Sequence, residues 1–160
     1  MSFIWLADKP LRTREQIARE VHQVSLERGL DQLATVMALM CISVEVGAND
    51  RYGNPQWWCP WNAADPDSKN YPHDSQSNDG RSVGYFQQQK GPNGELWWGT
   101  SGDEMTLKIA ANNFLDRLAD DYKICSGNAT LAGEYIANVQ RCAPGYRYRY
   151  ATKWAEGWDV

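Results

Sequence analysis

Apolar residues recur at helical spacing in two consecutive segments near the start of the chain. From Thr13 to Leu30 the recurring positions are Ile17, Val21 and Val24, and Thr13-Arg-Glu-Gln16 reads as a capping box, so the spacing predicts a first helix. From Asp31 to Val46 they are Leu33, Val36, Met37, Met40 and Val44, with Asp31 placed to cap the start and Gly47 just past the end. The same period predicts helices over Thr106–Tyr122, on Ile109, Ala110, Phe114, Leu115 and Leu118, and over Thr130–Arg141. A last helix over Tyr146–Ala155 presents Tyr146, Tyr150 and Trp154 at four-residue steps. Between the second and third helices, Asn49–Arg81 has no period and is rich in Pro, Asn, Asp, Gly and Trp. That is long for a bare loop in a small domain, and loops of that length are usually functional. Asn78-Asp-Gly80 is a tight-turn signal ahead of the short apolar run Val83–Phe86, which predicts a small β-hairpin. The pattern therefore predicts a mainly α (α+β) fold, as a single domain over residues 1–160, with a hairpin and a long loop after the second helix.

Composition changes this picture at one point. The chain has 160 residues, enough to bury roughly 70% of its unfolded surface. Its 42% hydrophobic and 22% charged content is ordinary, and a net charge of -4 argues against nucleic acid as the main partner. Eight Trp and eight Tyr are more than a core of this size normally takes. Rings left in a groove are platforms for sugar faces. Cys41, Cys59, Cys125 and Cys142 form no C-x-x-C pair, and with His22 and His73 as the two histidines no metal site or cofactor is expected. The four cysteines leave three disulfide pairings open. Phe3-Ile-Trp-Leu-Ala7 is too short, and lacks the basic lead-in, to be a signal peptide or a membrane span.

Glu45 carries the most specific chemistry. At the C-terminal end of the second helix, the helix dipole disfavours a negative charge, and the adjoining apolar face desolvates the carboxyl, so both effects raise its pKa. A carboxyl still protonated near neutral pH is what a glycosidase needs to donate a proton to a leaving sugar oxygen.

The order of helix, terminal Glu45, irregular segment, Ser82-Val-Gly-Tyr-Phe-Gln-Gln-Gln89 and further helices resembles the lysozyme-like superfamily that includes goose-type lysozymes and lytic transglycosylases. Together with Ala64–Asp74, Trp97-Trp-Gly-Thr100 and Val139-Gln-Arg141, it is similar to the lysozyme-like domains of endolysins and tail-associated hydrolases of actinobacterial phages. The insert Asp50–Asn62, with Trp57, Trp58, Cys59 and Trp61, departs from that pattern. The resemblance implies a helical lysozyme-like domain whose cleft holds a glycan strand, with Glu45 as the catalytic acid. It implies hydrolysis of the β-1,4 bond between N-acetylmuramic acid and N-acetylglucosamine by a monomer acting on the bacterial wall, either after release from the host cytoplasm or from a virion. The alternatives are a lytic transglycosylase, which forms anhydro-muramic ends, and an inactive glycan-binding virion module.

A second carboxylate has two candidates. Asp79 precedes the Gly84 strand much as goose-type lysozymes place one, although Asp before Gly80 also suits a turn; Asp74, beside His73, is the other, with loop capping as its plainer role. Asp65 and Asp67 flank Pro66 as turn residues. For substrate, Ser82, Gly84, Tyr85, Gln87 and Gln88 are candidates on the cleft strand, with Gly84 allowing close approach of the backbone and the glutamines bonding an N-acetyl group or a hydroxyl. Tyr71, Trp97 and Trp98 are candidates to stack on sugars. The run Arg141–Lys153 holds Arg141, Arg147, Arg149 and Lys153 with no acid, either as a solvated helix face or as an attraction for anionic wall polymer. A cysteine peptidase built on Cys41 and His73 fits poorly, because Cys41 lies inside a helix rather than at its start.

Overall fold

Side-chain caps mark where four of the helices begin. In the computed structural model, which describes residues 2–142 and 145–160, α1 (Arg14–Glu27) follows Thr13 and its reciprocal bonds with Gln16, at 2.8 and 3.1 Å. Helix α2 (Gln32–Val46) follows Asp31, which accepts from the Ala34 N–H at 3.2 Å. The stretch expected as one helix over 106–122 is instead α3 (Ser101–Met105) and α4 (Leu107–Arg117), followed by a 3-10 turn at Tyr122–Cys125. Thr100 and Asp103 form a second capping box that starts α3 before the apolar period begins. Helix α5 (Ala129–Gln140) is capped by Asn128 and ends on Arg141 in the left-handed region, at φ 51°. The last expected helix is also two, α6 (Tyr146–Ala151) and α7 (Trp154–Asp159).

The spacing on α2 suggested one apolar stripe, yet from Leu33 to Val46 every residue except Glu45 is buried. The reason is its place: α1, α4, α5, α6 and α7 all pack against it. A helix covered on all sides has no solvent face to keep polar.

The irregular segment after α2 holds most of the strands. Strands β2 (Gly47–Asn49) and β3 (Pro55–Trp57) form an antiparallel hairpin whose turn is tied by Asp50, which accepts from the Tyr52 and Asn54 N–H groups at 2.9 Å. Strands β4 (Pro60–Asn62) and β5 (Ser75–Ser77) pair in parallel, and β1 (Phe3–Leu6) adds antiparallel to β5. Trp57 and Trp58 of the insert are core residues, with the Trp58 indole donating to the Ala48 carbonyl at 3.0 Å. Cys41, Cys59, Cys125 and Cys142 are all unbridged thiols.

The hairpin expected around Asn78–Phe86 is not formed. Val83 and Gln88 make a single bridge, and the residues between them curl, with Gly84 at φ 73° and Gln87 at φ 52°. Positive φ at two positions cannot continue a strand. Gly84 is buried, and a Cβ there would overlap the Glu104 carbonyl. Its glycine thus serves the approach of its own chain to α3 rather than of a sugar. Gly84→Ala is expected to destabilise the protein by more than about 2 kcal/mol, read as a lowered midpoint in urea, because strained φ and overlap add.

A buried ionic cluster ties this curl to the irregular segment. Lys90 Nζ lies 2.8 Å from Asp65, 2.6 Å from Glu104 and 2.7 Å from Ser101, and Ser101 donates to the other Asp65 oxygen at 2.7 Å. Asp65 is therefore more than a turn residue. Asp67, by contrast, is exposed and accepts from the nearby Asn70 amide at 3.0 Å.

Candidate active site

Glu45 occupies the last turn of α2, and Gly47 lets the chain leave the helix at once, since a Cβ there would overlap the Ser43 carbonyl. The carboxyl faces a cleft of ≈ 420 Å³ lined also by Val44, Asp79, Ser82, Gln87, Tyr146 and Ser2. Tyr150 of α6 donates to Glu45 Oε1 at 3.1 Å. Burial raises the Glu45 pKa to about 7; the Tyr150 hydrogen bond and the Arg149 charge oppose the rise, and the Asp79 charge adds to it. The carboxyl thus holds a proton over a range where an ordinary glutamic acid has lost it.

Asp79 is exposed and shares the cleft with Glu45. Its carboxylate accepts from the Ser2 N–H at 3.0 Å. Its position is set by Asn62, a buried residue at the end of β4. The Asn62 amide donates to the Asp79 carbonyl at 3.0 Å, the Ser82 carbonyl at 3.2 Å and Ser77 Oγ at 3.3 Å. One side chain therefore fixes both ends of the loop that carries Asp79.

Asp74 does not share the cleft. It is 1% exposed, and its two oxygens accept from the Cys59 N–H at 2.6 Å, the Leu11 N–H at 2.9 Å and the Ser75 hydroxyl at 3.1 Å. Burial raises its pKa against those hydrogen bonds. The arrangement is a structural clamp that joins the segment before α1 to the starts of β4 and β5. His73 bonds the Tyr71 carbonyl through Nδ1 at 2.7 Å and packs against Trp5 and Trp61. Cys41 is wholly buried and its thiol pKa is pushed well up by burial, the reverse of an activated nucleophile.

The substrate candidates divide. Ser82 and Gln87 line the cleft. Gln87 donates to the Gly84 carbonyl at 3.0 Å, while its side-chain carbonyl is buried without a partner among the described residues. Gln88 points into the core and donates to the Ala110 carbonyl at 3.2 Å, and Tyr85 is buried with its hydroxyl 3.4 Å from Arg12. The Tyr71 ring packs over Gly102, outside the cleft lining. Trp97 and Trp98 line a neighbouring pocket that shares Gln87 with the cleft.

No family model matches this chain, and a search of the curated proteins finds no significant match. The chemistry of the site therefore rests on its own residues.

Sequence reasoning missed Asn62 and the role of Tyr150. Asn62 has no motif around it, and its amide partners lie 15 to 20 residues further along the chain. Tyr150 was visible as part of an aromatic step on the last helix, but no pattern gives the packing of α6 against α2. Removing its hydroxyl tests its part: Tyr150→Phe takes away a bond that favours the charged carboxylate, so the Glu45 pKa is expected to rise. The alkaline limb of the pH–rate profile should then move to higher pH, in a comparison of cleavage rates from pH 5 to 9.

Proposed function

We propose that the chain is a peptidoglycan hydrolase, cleaving the β-1,4 bond between N-acetylmuramic acid and N-acetylglucosamine in a bacterial wall during phage-driven lysis. The observation that carries this reading is the Glu45 carboxyl, raised to a pKa of about 7 in a cleft that also holds the Asp79 carboxylate. A protonated carboxyl that shares a cleft with a second carboxyl group is the working arrangement of a glycosidase. Glu45 gives its proton to the leaving sugar oxygen as the bond breaks, and Tyr150 fixes the orientation of the carboxyl. Asp79 takes a proton from the attacking water. Ser82, on the cleft wall beside Gln87, bonds a sugar hydroxyl or amide group, and the lysozyme-like order of motifs supports the choice of glycan.

The test is a product analysis of purified peptidoglycan by mass spectrometry. New reducing ends support the hydrolase. Anhydro-muramic ends would replace it with a transglycosylase, and binding without any product would leave an inactive glycan-binding module.

A further inference from the structure

Beside the Glu45 cleft, and sharing Gln87 with it, lies a second pocket of ≈ 430 Å³ between the loop that carries Trp97 and Trp98 and the end of α5. Two arginines line it. Arg117, at the end of α4, lays its guanidinium over the Trp98 ring at 3.6 Å from the centroid and donates to the Trp97 carbonyl, so its direction is fixed. Arg141 sits on the left-handed residue that ends α5, next to Gln140, whose amide is anchored to the Phe86 carbonyl at 2.8 Å. Among the described residues neither guanidinium has a carboxylate at ion-pair distance, although the chain carries 20 acidic residues and a net charge of -4. The nearest acid in sequence, Asp116, pairs instead with Arg28 at 2.7 Å. The two positive charges are close enough to oppose each other: after burial, Arg141 is the next cause that lowers the Arg117 pKa. Gln87 and Gln140 line the same pocket, and their side-chain carbonyl oxygens are buried and unpartnered among the described residues.

Like charges held together beside an indole and two glutamine side chains fit a ligand with a negative group on a polar frame. We propose that this pocket takes an anionic substituent of the glycan: a sugar of the strand lying in the Glu45 cleft extends past Gln87 into it, and its carboxylate is clamped by Arg117 and Arg141. The inference rests on the glycan reading and narrows it, because a strand with free carboxylates becomes the preferred substrate and a neutral one a poor substrate. A phosphate on the strand would meet the same two guanidiniums.

The experiment measures binding by calorimetry, using the Glu45→Gln protein so that strands stay whole, together with cleavage by the wild type. The strands are purified glycan with free carboxylates, the same material amidated with a neutral amine, and the same material stripped of phosphodiesters with hydrofluoric acid. Amidation is expected to weaken binding about 10-fold, and added salt to weaken binding of the free-carboxylate strand more than that of the amidated one. Adding Arg117→Gln and Arg141→Gln should abolish the difference; both residues are exposed, and Arg141→Gln alone serves if the double variant melts early. If stripping phosphodiesters rather than amidation weakens binding, the anion site stands with phosphate as its ligand. Equal binding of all three strands, absence of binding, or discrimination that survives the arginine substitutions would overturn the proposal. Discrimination in binding without cleavage by the wild type would instead sink the hydrolase reading and leave the anion site standing.

Discussion

Glu45→Gln is expected to lower cleavage of purified peptidoglycan by about 10²- to 10⁴-fold while the protein stays folded, because the amide keeps the shape of the acid and has no proton to give. Tyr150 can still donate to the amide oxygen, so the packing of α6 on α2 survives. The substitution also has a stability signature of definite sign. The folded pKa of about 7 lies above the ordinary 4.5, so the favourable contribution of the protonated carboxyl is complete below about 4.5 and is lost as pH rises through about 7. Wild-type stability should therefore fall over that interval, and Glu45→Gln should remove the part due to this residue. Urea denaturation at pH 5 and pH 7.5 measures it. A folded Glu45→Gln protein with near wild-type cleavage would end the assignment of the acid.

The second large effect separates the two aspartates that the sequence offered together. Asp79→Asn keeps the size of the side chain and its acceptor for the Ser2 N–H, but cannot take a proton from water. Cleavage is expected to drop by about 10²-fold or more, with the melting temperature nearly unchanged. Asp74→Asn should do the reverse. Both Asp74 oxygens are engaged by backbone donors, that of Cys59 fully buried, and an amide nitrogen in place of one of them leaves a backbone N–H unmatched. The cost is about 2 kcal/mol, a melting shift on the order of 5 °C, with cleavage largely retained at temperatures where the protein is folded. Should both variants cleave normally while Glu45→Gln is dead, the anhydro-forming mechanism becomes the better account.

The first two helices and the place of Glu45 were legible because their determinants are local: Thr13 with Gln16, Asp31 with Ala34, and Gly47 against Ser43 are all separated by a few residues. The sharing of one cleft by Glu45 and Asp79 was legible only as a candidate pair. Asp74 and Asp79 stand in equally polar stretches, and what tells them apart is the clamp of strands far apart in the chain. Tyr85 and Gln88 were expected beside the sugar because the resemblance lays their segment along the cleft as a strand; the curl at Gly84 and Gln87 replaces that strand, and both side chains are buried in the interior. Trp57 and Trp58, in an insert with no period, gave no sign that they belong to the core.

The two sides of the cleft are also held to the molecule in different ways. Glu45 is mounted on a helix enclosed on all sides, whereas the exposed Asp79 loop is held by hydrogen bonds, with the Asn62 amide reaching both of its ends. Local opening takes the least free energy where few buried contacts oppose it. Warming should therefore disarm this protein before it melts, with cleavage fading while the helical signal is still whole. Asn62→Ala, which releases the loop, should widen the gap between the temperature of half-activity and that of half-unfolding.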